Sequence, residues 1–111
     1  MSIRDKALSA EIKTEEVYIV GLDEKVLFKA INAGEYGRVL ASPNAKAFGG
    51  MMASAMMIQI SAHELDGTRA FEKADIDSLL AMEAPLFEEL LTPVLRLAGR
   101  LTTSKEDIVK N

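Results

Sequence analysis

Residues 48–62 read FGGMMASAMMIQISA, fifteen positions that carry no charge and hold four of the chain's six methionines. Burying a methionine side chain is worth roughly 1.5–3 kcal/mol, so four left in water forfeit about 6–12 kcal/mol. The whole stability of a typical domain is about 5–15 kcal/mol. The run must therefore be covered, by the chain's own core, by a second copy, or by a client. From Met51 onward the residues are good helix formers, enough for about three turns. Alternation is partial over Met57 to Glu64, and Asp66-Gly67 is a hairpin-turn pair, so a strand there stays open. The preferred reading is a helix ending near His63 or Glu64, with Asp66-Gly67 turning just beyond it. A helix apolar nearly all round is buried on most sides.

Working outward, 111 residues suffice for one domain with a real core. Residues 1–10 and 102–111 read as flexible arms; Ile3 with Ala7 or Leu8 could give the first arm a turn or two of helix. The chain has no cysteine, which removes disulfides and thiol chemistry and suits a reducing cytosol. No signal peptide is expected, because Asp5 and Glu11 interrupt the only apolar stretch near the start. The central run falls short of the eighteen or so apolar residues of a membrane span, and it contains Gly49, Gly50, Ser54, Gln59 and Ser61. Net charge is −4 without a Lys/Arg cluster, so neither membrane nor nucleic acid is an expected partner.

Upstream, Glu15 to Val20 and Lys25 to Ile31 are rich in β-branched and aromatic residues, and Gly21 to Glu24 supplies a turn, predicting a β-hairpin. Val17 and Ile19 share one face of their strand, as do Val26, Phe28 and Ala30 of theirs. Asn32 followed by Glu35 is a capping pattern, opening a short helix to about Ala41 with Tyr36, Val39 and Leu40 on its apolar side. Ser42-Pro43-Asn44 stops it.

Downstream, Phe71 anchors the approach to a helix over Asp75 to Met82, with Ile76, Leu79 and Leu80 inward. Pro85 starts a longer helix whose stripe runs from Leu86 to Leu101. Pro93 predicts a kink or a division into two helices. The expectation is an α+β, mainly helical fold: an N-terminal β-hairpin packed on about four helices, in a single domain.

Chemistry is sparse. His63-Glu64 opens like a zinc-protease helix, but the chain has one histidine, so the metal reading fails. Asp66, Asp75 and Asp77 lack calcium-loop spacing. Gly49-Gly50 is followed by methionines rather than Lys-Ser/Thr, and no serine has a His-acid set. No enzyme activity, metal or cofactor is expected. Two surface features are left. Residues 72–89 hold six acids against Lys73 alone, which serves solubility or steers a basic partner. The methionines suit either a plain core or a face that accepts varied apolar partners.

The order of elements resembles the tail assembly chaperones of long-tailed phages and prophages. The similarity covers nearly the whole chain: the opening MSIRDKALSAEIKTEEVYIVGLDEKVLFKAI, then NAGEYGRVL, then the apolar segment leading into HELDGTRAFEKADIDSLLAM, and finally LFEELLTPVLRLAGRL with the tail TTSKEDIVKN. Pro93 and the methionine density depart from the pattern. The resemblance implies a protein of the host cytoplasm that binds the tape-measure protein, keeps it soluble until tail-tube subunits polymerise around it, and is absent from the mature virion. The tail-tube protein is a further candidate partner, and a homo-oligomer is expected if the central helix is a shared surface. Helix-in-groove capture needs an adaptable apolar surface, and Met51, Met52, Met56, Met57 and Ile60 are the residues expected to line it or an oligomer contact beside it. The competing classes are a minor tail or connector protein retained in the particle, and a small helical adaptor.

Overall fold

The computed structural model describes residues 2–99; the second expected arm, residues 102–111, lies outside them. The chain runs α1 (Ile3–Leu8), β1 (Thr14–Ile19), β2 (Glu24–Lys29), α2 (Ala33–Ala41), a 3₁₀ turn (Ala47–Gly50), α3 (Met51–Ser61), β3 (Ala62–His63), a second 3₁₀ turn (Lys73–Asp75), α4 (Ile76–Ala81) and α5 (Ala84–Leu97). This is an α+β, mainly helical architecture, with one antiparallel sheet of order β1-β2-β3.

Helix α1 is capped by Ser2, whose side chain accepts from the Asp5 amide. It buries no residue, and Ile3 and Leu8 stand in solvent. A six-residue helix gains little by itself.

The hairpin pairs Thr14 with Lys29 through to Ile19 with Glu24. Alternation puts Val17, Ile19, Val26 and Phe28 on the inner face, where Ile19 and Phe28 are fully buried. The same period places Glu15 on that face, where Arg96 of α5 meets it with three hydrogen bonds. The turn falls one residue earlier than expected, with the Leu22 and Asp23 amides donating to the Ile19 and Val20 carbonyls. Its left-handed position is Asp23, not a glycine; aspartate tolerates that conformation better than most residues. Tyr18 donates to the Asp23 carboxylate, which raises the phenol from its ordinary value.

Asn32 caps α2 as its sequence predicts, accepting from the Glu35 amide at 2.8 Å. Val39 is buried and Tyr36 half-buried against the core, but Leu40 is exposed. Three left-handed residues in a row, Phe48, Gly49 and Gly50, then swing the chain into α3.

Helix α3 is the hub, packed against α2, α4 and α5. Ala55, Met57, Ile58, Gln59 and Ser61 are buried. Both polar members are satisfied: Gln59 donates to the Phe71 carbonyl at 3.1 Å, and Ser61 to the Lys29 carbonyl at 2.7 Å. The helix stops at Ser61, earlier than His63 or Glu64. Ala62 and His63 instead pair with Phe28 and Leu27, because the second edge of β2 would otherwise leave buried backbone groups unpaired. Both open readings of residues 57–64 thus contain part of the answer. The Asp66-Gly67 turn follows, with the Glu64 amide donating to the Thr68 carbonyl and Gly67 left-handed.

Beyond it, Glu72 and Asp75 form a reciprocal capping box at the second 3₁₀ turn. Leu79 of α4 is buried. Helix α5 runs through Pro93 as one element, not two. Phe87, Leu90, Pro93 and Val94 are all buried along it, so packing on both sides of the proline offsets the missing backbone bond. Its exit uses left-handed Gly99, whose amide donates to Arg96. Among the described residues, no helix is long and apolar enough to cross a membrane.

Candidate partner-binding surface

The five residues singled out by sequence all lie on α3, but the fold treats them differently. Met57 belongs to the core at 8% exposure. Met52, Met56 and Ile60, spaced four apart, form one ridge and are half-buried. Met51 is exposed. The five residues therefore do not share one accessible face of the helix.

Two grooves divide the accessible members. Met56 and Ile60 join Val39 and Ile76 in the floor of a cavity of about 590 Å³, together with Ser42 and Gln59; Glu35, Arg38, Arg69 and Lys73 form its polar rim. Met51 lies instead in a cavity of about 440 Å³ with Phe48, Leu80, Ala81, Met82, Ala84 and Phe87, and Asp77 at its edge. Met52 and Met57 line neither groove.

The rim of the larger groove is shared by α2 and the segment after β3. Arg69 bridges to His63 in an isolated β-type pair. Its guanidinium donates to the Gln59 and Ile60 carbonyls at 3.4 and 3.2 Å and to Glu35 at 3.1 Å. It thereby satisfies carbonyls of the last turn of α3, which lack helical partners, and ties them to α2. Arg38 and Lys73 make no ion pair among the described residues. Sequence reading missed these three cations because Arg38 lies some thirty residues before Arg69 and Lys73, with no local pattern to mark them as neighbours.

A third cavity, of about 620 Å³, lies by the sheet and is lined in part by Leu22, Val26, His63, Leu65 and Phe71. His63 is 7% exposed, and its Nδ1 lies 2.7 Å from the Ser61 carbonyl. A carbonyl only accepts, so Nδ1 carries the proton. This histidine is held in the core by its backbone contact.

The acidic stretch is partly consumed by structure. Glu72 and Asp75 cap the 3₁₀ turn, and Glu89 accepts from the Val20 and Gly21 amides. Asp77, Glu83 and Glu88 face solvent.

By sequence, the chain matches no protein-family model and no curated protein. By structure it is similar to the tail assembly chaperone of bacteriophage HK97, with a TM-score of 0.62 and 17% identity over 85% of this chain and 95% of that one. The likeness spans most of this chain and nearly all of that one, and it is a likeness of fold.

Proposed function

We propose that the chain is a phage tail assembly chaperone that binds the tape-measure protein and holds it soluble in the host cytoplasm while the tail tube forms. The observation that carries this reading is the fold similarity to the HK97 chaperone over 85% of this chain. It joins the resemblance in element order from the β-hairpin to the Leu-rich closing helix. The partly exposed ridge of Met52, Met56 and Ile60 supports it physically, since unbranched methionine adapts to varied apolar helices. On this reading the chain works as a binding protein without catalysis, self-associates, and leaves before the particle is complete.

The test is co-expression of the chain with the tape-measure protein of the same phage or prophage. A chaperone raises the soluble fraction of the tape-measure protein and co-purifies with it, and mass spectrometry of finished virions finds none of the chain. Stoichiometric presence in the virion would instead identify a minor tail or connector protein.

A further inference from the structure

We infer that the groove between α2 and α3 takes an amphipathic helix of a client protein whose apolar stripe is flanked by Asp or Glu. The inference rests on the chaperone reading for the existence of a client, and adds the chemistry by which this chain selects it.

The floor and the rim of the groove ask for different things. Met56, Ile60, Val39 and Ile76 offer apolar contacts, which a helix meets with anchors at i, i+3, i+4 and i+7. Arg38 and Lys73 stand at the rim without a carboxylate partner among the described residues. Arg69 adds a third cation, of which Glu35 neutralises one. The rim is thus positive in a chain whose net charge is −4. Rim charges of this kind act mainly on partner choice and on-rate.

The charge pattern also argues against a second copy as the occupant. The acidic helices α4 and α5 bury Leu79, Phe87, Leu90 and Val94. The apolar residues that α4 leaves accessible, Leu80 and Ala81, line a concave groove of their own rather than a ridge that could fill another. Helix α1 has free apolar residues, but it carries Arg4 and Lys6 against Asp5 alone and would meet the rim with like charge.

The experiment uses two synthetic helical peptides of about five turns, identical in a Leu/Ile stripe and differing only in Glu or Lys beside it. Binding to the full chain is followed by fluorescence anisotropy at low and high salt. The Glu peptide binds roughly tenfold tighter at low salt, as expected for two or three exposed charge pairs, and the advantage shrinks as salt screens it. The double variant Arg38→Glu/Lys73→Glu, whose altered residues are exposed, keeps its circular dichroism and loses the preference. Equal binding of both peptides, or a preference unchanged in the double variant, overturns the inference. So does self-association that the double variant abolishes, since a second copy would then fill the groove. Co-expression separates the two readings. If wild type and variant solubilise the tape-measure protein equally, the groove assignment falls and the chaperone reading stands. If the wild type leaves it insoluble, the chaperone reading falls and takes the client with it.

Discussion

The carboxylate of Glu89, on α5, accepts a hydrogen bond from the amide of Gly21 at the hairpin turn, 68 residues earlier, at 3.1 Å. Its other oxygen takes the Val20 amide. A side chain at Gly21 would place its Cβ 2.8 Å from Leu86 Cδ1, so the turn sits directly on the first turns of α5. A larger residue at this position would make the flexible Leu86 side chain give way, and the Glu89 hydrogen bonds tie the hairpin turn to α5.

Glu89→Ala is expected to lower stability by about 1–2 kcal/mol, because two backbone donors lose a charged acceptor but regain water at the surface. Glu89→Gln keeps one acceptor and loses less. Urea unfolding of the three proteins gives the order; a midpoint unchanged in the alanine variant would show that the contact contributes nothing.

The two central methionines should separate cleanly. Met57→Asp puts a charge in the core and is expected to cost more than about 3 kcal/mol, enough to unfold much of the protein. Met56→Asp lies at a half-buried groove position, so it should stay folded and weaken capture of the tape-measure protein. Circular dichroism with the co-expression assay reads both outcomes. A folded Met56→Asp that captures the client normally would remove this ridge from the binding surface.

Asn32→Ala removes the acceptor of the Glu35 amide and should cost about 1 kcal/mol, while Asn32→Asp or Asn32→Ser should restore most of it. Equilibrium unfolding is the measurement, and equal loss in all three variants would show that the cap is not the cause.

Acid titration should isolate the loop after β3. The Thr68 amide and hydroxyl donate to Asp66 at 2.9 and 2.7 Å and hold its carboxyl below the ordinary value of 3.8. A carboxyl whose folded value is depressed stabilises the fold fully above its unfolded value and loses that contribution as pH falls through the folded one. Wild type and Asp66→Ala should therefore differ most near neutrality and converge as pH falls through the depressed folded value. A gap constant across that range would mean the effect is not ionic.

Much of the architecture was legible because its causes are local. The hairpin follows from alternation over Thr14 to Lys29, the start of α2 from Asn32 and Glu35, and the start of α3 from glycines followed by helix formers. These signals act within a few residues of the structure they produce. Leu40 marks where local reading fails. It continues the apolar period of α2, yet it is exposed, because which part of a stripe is covered depends on the neighbouring helix.

What the sequence alone determined was the hairpin, the main helices and the need to cover residues 48–62. Only the tertiary structure decided how that covering is divided. Ser61 ends α3 because β2 has an edge to fill, a demand arising from residues more than thirty positions away. Pro93 stays inside a continuous helix because one core buries both sides of it. Met56 and Met57 are adjacent in sequence and chemically identical, but the step of about 100° between helical neighbours sends one into the core and the other to a groove. Of the cations beside that groove, Arg38 lies some thirty residues before Arg69 and Lys73, so no local window of sequence contains them together.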